Sequence, residues 1–357
     1  MKALVAMSGG VDSSVAAALT LEAGYDVIGV TLKQWVGPDG EMPTAGCCTV
    51  ADAEDARRVA AQLEVPYYVL DYVDEFTSAV VEPFAADYAA GRTPNPCIEC
   101  NRTVRFSALF ERMHALGADV LVTGHHARVR RDADGWHLLR AVDGNKDQSY
   151  VLHMLGQNEL SRIRLPVGEM TKPEVRELAT SMSLRTAAKP DSQDICFVKT
   201  DYRAFLDTMV PDAARPGEVV TADGTVLGEH AGTSGFTIGQ RKGLGVAVGE
   251  PRYVVDIRPA TAEVVVGSYH DLLVDGCLVS QVTFVAGTPP ASRSVDVKVR
   301  YRSKPLPAVI EEAPGSTWRV LFEEARPAPA PGQSAVFYDG DEVLGGGIID
   351  DVLRADG

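Results

Sequence analysis

Lys2-Ala-Leu-Val-Ala-Met7 runs without a break into Ser8-Gly-Gly-Val-Asp-Ser-Ser14, and this junction decides the fold. The first six residues are mostly apolar and predict a buried parallel strand. The glycines that follow predict a tight turn, and Ser13 predicts the start of a helix reaching Ala23, with Gly24 to close it. A strand, a glycine turn and a helix N-terminus in succession form an anion site. Backbone N–H groups of Gly9 and Gly10 can approach a phosphate, and the helix dipole favours negative charge there. Ser8, Ser13 and Ser14 add hydroxyl donors, and Asp12 offers a carboxylate for the Mg²⁺ that accompanies a nucleotide. The turn carries neither G-x-x-x-x-G-K-[ST] nor G-x-G-x-x-G.

Outward from this point the chain keeps alternating. Tyr25 to Leu32 predicts a second strand, Val50 to Leu63 a helix, Pro66 to Leu70 a third strand, and Asp74 to Ala90 a helix ended by Gly91. Two prolines in Gly91-Arg-Thr-Pro-Asn-Pro-Cys-Ile-Glu-Cys-Asn101 predict an extended, rigid surface loop. A helix over Arg105 to Leu116 and a strand over Asp119 to Thr123 follow, and the strand empties into Gly124-His125-His126. Arg128 to Val142 predicts a hairpin turning at Asp132 to Gly135. Thr171-Lys-Pro-Glu174 is a capping box with proline in the first turn. The alternation predicts a doubly wound parallel α/β sheet with its ligands at the carboxyl ends of the strands.

Past about residue 200 the pattern changes. A short helix near Tyr202 to Met209 gives way to β-runs at Gly217 to Val226, Phe236 to Ile238, Arg252 to Ile257 and Glu263 to Val266. Six more runs lie between Gly276 and Ile349, interrupted by a proline-rich stretch from Ala325 to Gly332. The expected organisation is a catalytic domain over 1–200, a small β-rich domain over 201–273 and a C-terminal β-barrel over 274–357.

The length of 357 residues suits two or three domains with ample core. A hydrophobic fraction of 45% and a charged fraction of 23% are those of an ordinary globular protein. No apolar run approaches membrane-spanning length, and an N-terminus read as a core strand leaves no expectation of a signal peptide. Six unevenly spaced cysteines do not form a disulfide scaffold, which points to a reducing cytoplasm. A net charge of −15 argues against nucleic acid on average, yet phosphate is bound by local patches. Such patches occur at Arg293 to Lys304, at Arg128, Arg130 and Arg131, and at Arg241 with Lys242.

Cys100 and Cys196 stand in polar stretches, unlike structural cysteines on apolar faces, and both follow segments expected near the carboxyl edge of the sheet. Two thiols beside a phosphate-binding turn suggest sulfur transfer: one carries a persulfide, and the other releases or resolves it. Cys277, within a β-run, is expected in the core, and Cys47-Cys48 in a glycine-rich loop to be structural or incidental.

Ser8-Gly-Gly-Val-Asp-Ser13 resembles the PP-loop of the N-type ATP pyrophosphatases, which transfer the AMP half of ATP to an oxygen. Further stretches extend the likeness: Thr93-Pro-Asn-Pro96 with Cys100-Asn101, Thr123-Gly-His125, Asp191-Ser192 with Ile195-Cys-Phe197, Gly235 to Gly245, and Val299-Arg-Tyr-Arg302. Taken together, the chain resembles the bacterial tRNA-specific 2-thiouridylases of the MnmA/TrmU family from end to end. The resemblance implies ATP-dependent, AMP-forming thiolation of the wobble uridine of tRNA. Ala6, Met7, Ser8, Gly9, Gly10, Val11, Asp12 and Ser13 would bind the phosphates of ATP with Mg²⁺, and Leu32 and Gly124 would flank adenine and ribose. Cys196 would carry the persulfide and Cys100 would be its catalytic partner, the two forming a transient disulfide. Asn95, Pro96 and Cys97 would border the flipped base. His125, Lys146, Asp147 and Gln148 would touch the anticodon arm from the catalytic domain, and Arg300, Tyr301 and Gln333 from the barrel. A cysteine desulfurase or a sulfur-relay protein would supply the sulfur.

One position departs from the family pattern. Where many relatives carry an acidic residue this chain has Cys97, so that Cys97, Cys100 and Cys196 offer three thiolates, an arrangement that resembles the [4Fe–4S] site of iron–sulfur tRNA thiolases. Persulfide chemistry and a cluster on these cysteines are therefore alternatives. Other readings are a different PP-loop synthetase, a 4-thiouridine synthase, or an RNA-binding protein whose thiols hold a structural metal.

Overall fold

The structure, a computed structural model, describes residues 1–37, 49–191, 195–198, 202–210, 215–246 and 249–354. Cys47, Cys48 and Ser192 lie outside the described residues. Strands β1 (Lys2–Ala6), β2 (Asp26–Lys33), β3 (Tyr67–Asp71), β4 (Val120–Val122) and β7 (Ile163–Arg164) form one parallel sheet in the order β3-β2-β1-β4-β7. The order reverses between β1 and β4, so the crevice of this doubly wound sheet opens beyond Ala6 and Val122.

Alternate residues of the central strands enter two different cores, which is why these strands read as continuous apolar runs. Ala3, Val5, Val120 and Val122 pack against α1 (Val11–Glu22), α2 (Val50–Gln62) and α8 (Lys172–Ser181) through Val15, Ala56, Val59 and Val175. Leu4 and Leu121 face the other way, onto Phe76, Phe84, Leu109 and Phe197. That second face is covered by α3 (Val73–Phe76), a π-helical turn (Thr77–Val81), α4 (Glu82–Ala89) and α6 (Phe106–Ala115).

The expected surface loop before Cys100 is instead helical. Pro96 takes the first position of α5 (Pro96–Glu99), where its missing N–H removes no bond. The Asn95 side chain caps that turn, accepting from Cys97 N at 3.2 Å and Ile98 N at 3.3 Å. A π-helical segment, Cys100–Arg105, continues it into α6.

The hairpin β5 (Ala127–Arg131) and β6 (Trp136–Arg140) forms where the sequence places it. Beyond residue 200, after α9 (Tyr202–Met209), a four-stranded sheet orders β10 (Tyr253–Arg258), β11 (Glu263–Gly267), β8 (Gly217–Val220) and β9 (Val226–His230). The single run expected over Gly217 to Val226 is thus a hairpin, and Phe236 to Ile238 follows a 3₁₀ turn and joins no strand. The barrel comprises β12 (Leu273–Phe284), β13 (Ser294–Lys298), β14 (Leu306–Ala313), β15 (Thr317–Pro327), β16 (Ser334–Asp339) and β17 (Glu342–Leu353). It is closed by antiparallel pairing of β12 with β17. β6 also pairs with β17, Leu138 opposite Val343, so a hairpin from the first segment extends the barrel's sheet. No described helix is long and apolar enough to cross a membrane.

Candidate active site

The turn after β1 is fixed by its own side chains. Ser13 Oγ accepts from Ser8 N at 3.1 Å and donates to Gly10 O at 3.1 Å, and Ser14 Oγ donates to Gly10 O at 2.8 Å. Gly10 is the N-cap of α1, with Val11, not Ser13, as its first residue, so the helix begins two residues earlier than the sequence suggests. Gly9 has φ +72° and lies against α2, where a Cβ would come within 2.1 Å of Asp52 O. Gly124, beyond β4, lies against α1, where a Cβ would come within 2.5 Å of Ser13 N. Two glycines therefore let three elements close on one backbone cradle. Ala6 ends β1, Met7 and Val11 are buried beneath the turn, Ser8 is exposed, and Leu32 is buried near the end of neighbouring β2.

Charge converges on the cradle from α8 and the stretch after it. Asp12 receives Lys172 Nζ at 2.7 Å on both oxygens and His126 Nε2 at 3.1 Å on one. Burial pushes the Asp12 carboxyl up, but the bonds from His126 and Lys172 outweigh it and the net shift is downward. Asp191 holds Lys146 Nζ at 2.6 Å, Lys172 Nζ at 2.8 Å and Arg176 Nη2 at 2.9 Å. Against the upward push of burial, the Lys146 and Lys172 bonds bring Asp191 down to about 2. Lys189 Nζ lies 2.7 Å from both Asp52 and Asp55 at the start of α2. Lys172, Arg176 and Lys189 were not among the residues singled out from sequence. The capping box that aims Lys172 was visible, as was the run containing Lys189 and Asp191, but nothing in either marks a partner across the sheet.

The cysteines are placed differently from the sequence expectation. Cys100 is not in a polar loop: it is 4% exposed and belongs to the apolar core. Gln34, just past β2, donates Nε2 to Cys100 Sγ at 3.2 Å. Cys196 is half-buried against the same core. Its neighbour Phe197 plugs a ring cluster at 6.1 Å from Trp35, 5.8 Å from Phe76, 5.2 Å from Phe84 and 5.3 Å from Phe205. Consecutive residues Gln34 and Trp35 therefore meet Cys100 and the neighbour of Cys196. Cys277 is fully buried, and burial pushes its thiol up to about 12, as a core position requires.

The residues expected at RNA fall into two groups. Cys97 is exposed on α5, and Tyr301, 36% exposed, lies close enough to Cys97 and Asp147 for their charges to add to burial in raising its hydroxyl. Asp147 is buried, accepting from Ala141 N at 3.2 Å and Ser149 N at 3.1 Å, and so shapes the loop. Gln148 Oε1 accepts from His126 N at 2.8 Å, and His125 Nδ1 sits 2.8 Å from Thr123 Oγ1, tying that loop to the end of β4. Lys146 joins the Asp191 network described above. In the barrel, exposed Arg300 donates Nη2 to Ala328 O at 3.3 Å and to Ile238 O at 3.4 Å. Gln333 Nε2 donates to Thr93 O at 2.8 Å, against the segment that leads to Asn95 and Pro96.

The cradle fits a nucleotide's phosphates, and Asp12, in the first turn of α1, offers a carboxylate for the Mg²⁺ they carry. A [4Fe–4S] cluster does not fit. Among the described residues no three His, Cys, Asp or Glu side chains group to hold a metal, so Cys97, Cys100 and Cys196 do not assemble a ligand set.

Comparison with known proteins covers all three parts of the chain. Family models match residues 1–200 (tRNA methyl transferase HUP domain), 203–268 (tRNA methyl transferase PRC-barrel domain) and 274–349 (aminomethyltransferase beta-barrel domain). The tRNA-specific 2-thiouridylase MnmA of Carboxydothermus hydrogenoformans is 49% identical over 98% of this chain and 97% of its own. That of Geobacter metallireducens is 47% identical over 97% and 96%, and that of Chloroflexus aggregans 48% over 97% and 97%. A solved 4-thiouridine synthetase–RNA complex with bound ATP gives a TM-score of only 0.37, at 19% identity over 59% of this chain and 50% of that one. By full-length identity to these relatives, the chain belongs to the tRNA-specific 2-thiouridylase family.

Proposed function

We propose that this chain thiolates C2 of the wobble uridine of tRNA, consuming ATP and releasing AMP and pyrophosphate. The observation that carries the proposal is the meeting of Gln34 and Trp35, which follow β2, with Cys100 and Phe197; β2 is the parallel neighbour of β1, whose own exit is the glycine turn. The C2 oxygen of uridine is a poor leaving group. In the first step that oxygen bonds to the α-phosphorus while the bond to pyrophosphate breaks. Mg²⁺ carried with the phosphates supplies charge neutralisation, with Asp12 to hold it. The terminal sulfur of a Cys196 persulfide then bonds to C2 and AMP departs with the oxygen. The Cys100 thiolate attacks Cys196 Sγ, the thiocarbonyl leaves, and a Cys100–Cys196 disulfide remains for an external thiol to reduce.

The target base must leave its stack to reach the site, which an anticodon loop allows more cheaply than a duplex. Asn95, Pro96 and Cys97 border it in this reading. His125, Lys146, Gln148, Arg300, Tyr301 and Gln333 form the surrounding tRNA contact in this reading, with buried Asp147 holding the loop that presents Lys146 and Gln148. A cysteine desulfurase or relay protein loads the sulfur, in the reducing cytoplasm that the cysteine composition suits.

A single-turnover reaction on anaerobically prepared protein tests this, with unmodified tRNA, Mg·ATP and a persulfide source. AMP and 2-thiouridine are expected in equal amounts, and both are expected to vanish in Ser13→Ala. AMP without thiouridine from the unaltered protein would point to another PP-loop synthetase. Bound tRNA with no AMP would leave a binding protein only.

A further inference from the structure

Between Leu184 and Phe197 the chain changes sides of the parallel sheet. Leu184 belongs to the core on the α1 side, with Ala187 packed against it, whereas Ile195, Cys196 and Phe197 belong to the aromatic core of the other face. Before the crossing the chain is fastened repeatedly. Arg176 Nη1 donates to Ala187 O at 2.8 Å and to Lys189 O at 2.9 Å, and Lys189 Nζ holds Asp52 and Asp55. The last of these fastenings is Asp191. Its Oδ1 meets Lys172 Nζ at 2.8 Å and Arg176 Nη2 at 2.9 Å, and its Oδ2 meets Lys146 Nζ at 2.6 Å. After the crossing the anchor is Phe197, set among four rings.

Asp191 differs from the other fastenings in what it is tied to. Lys172 Nζ also bonds both oxygens of Asp12, in the first turn of α1, so one ammonium joins Asp191 to the glycine turn. Cys196 lies five residues further on, within at most about 18 Å of chain. With that carboxylate released, the nearest hold would be Lys189, and the reach would grow to about 25 Å. An ion cluster of this kind fixes geometry whatever its net contribution to stability.

We propose that Asp191 is a positioning residue for sulfur transfer, fixing where Cys196 stands relative to the base adenylated at the glycine turn. The inference rests on the reading of Cys196 as the sulfur carrier and adds to it a residue that acts through the chain leading to that thiol. As the terminal sulfur of the persulfide bonds to C2 and AMP leaves with the oxygen, a displacement of about 1 Å at the attacking atom costs on the order of 100-fold. Adenylation needs the nucleotide turn but not Cys196, and tolerates the same displacement.

The test compares Asp191→Asn and Asp191→Glu with the unaltered enzyme, after Cys196 has been loaded from a persulfide donor. Single-turnover rates of pyrophosphate and 2-thiouridine formation are measured together, along with the tRNA concentration at half-saturation. Asn has the same shape but no charge for the three cations, and thiouridine formation is expected to fall about 10- to 100-fold. Pyrophosphate formation, persulfide loading and half-saturating tRNA are expected to stay within about 3-fold, which also reports an intact fold. Glu keeps the charge on a longer arm, so it is expected to recover part of the thiouridine rate with pyrophosphate formation unaltered. Equal losses of pyrophosphate and thiouridine would make Asp191 part of the nucleotide site or of the fold and overturn the proposal. An unchanged thiouridine rate in Asp191→Asn would overturn it too. Thiouridine formed by Cys196→Ala would instead remove the sulfur-carrier reading, and this inference with it.

Discussion

The two faces of the parallel sheet are built in different ways. On the α1 side the core is made of small residues, Val15, Ala16, Ala17, Ala56, Val59 and Ala60, which let helices pack close to the strands and to the glycine turn. That face is assembled from neighbouring βα units, and its chemistry lies at a helix N-terminus. On the other side the core is aromatic, and rings from Trp35, Phe76, Phe84, Phe197 and Phe205 come from widely separated stretches. Cys100 and Cys196 lie on that face, and the segment before Cys100 is clamped from outside. Thr93 N donates to Pro331 O at 2.7 Å, Arg92 pairs with Asp350, and Gly91 lies against Ile257 and Pro259. The nucleotide cradle is a local device, whereas the thiol region depends on both β domains.

The sharpest break between the two faces should come from Gly124→Ala. A Cβ there enters the backbone at Asp12 and Ser13, and a displacement of about 1 Å at reacting groups costs on the order of 100-fold. ATP binding and AMP formation should fall together by at least that much, while the barrel contacts persist, as read by nucleotide titration and product analysis. Phe197→Ala addresses the opposite face. Removing a ring buried among four others should destabilise the fold by about 3–5 kcal/mol in denaturant unfolding. It should abolish thiolation before it abolishes ATP binding.

Gly332→Ala separates the clamp from the core. Gly332 has φ +91°, and a Cβ would lie 3.0 Å from Thr93 C, so the loop before Cys97 and Cys100 must shift. Thiolation should drop about 10-fold with ATP affinity within about 2-fold of the unaltered value. A matched loss of ATP affinity would contradict the independence of the two faces.

Much of this contrast was legible in the sequence, and unevenly so. The alternation up to Val122, the glycine turn and the six barrel strands were readable because each depends on residues close in sequence: apolar period, glycine and a cap. Cys100 was misplaced because its surroundings in sequence are polar. Its burial comes from Gln34 and from the Phe197 cluster, which no local pattern announces. Pro96 was read as a helix breaker although it occupies the one helical position that tolerates it. Nothing near Lys172 and Arg176 in the sequence marks their partners, Asp12 and Asp191, because these are set by how α8 lies across α1.

Acid titration gives a finer measure of the charged side. The Asp191 carboxyl is depressed from 3.8 to about 2, so its contribution to stability is complete above about pH 4 and is lost as pH falls through about 2. Asp191→Asn should flatten the stability profile in that window and leave its shape above pH 5 unchanged. The smallest effect concerns Cys277. With its thiol pushed up to about 12 it should resist alkylation in the folded protein at pH 8, while exposed Cys97 reacts, as peptide mapping would show.

In the proposed reaction, adenylation at the glycine turn and sulfur delivery from Cys196 are separable steps. That separation is read as the ratio of pyrophosphate to 2-thiouridine in Cys196→Ala under single-turnover, anaerobic conditions. Pyrophosphate is expected at near the unaltered amount, with AMP retained on the uridine oxygen and no thiouridine. Thiouridine formed at the unaltered rate would contradict it.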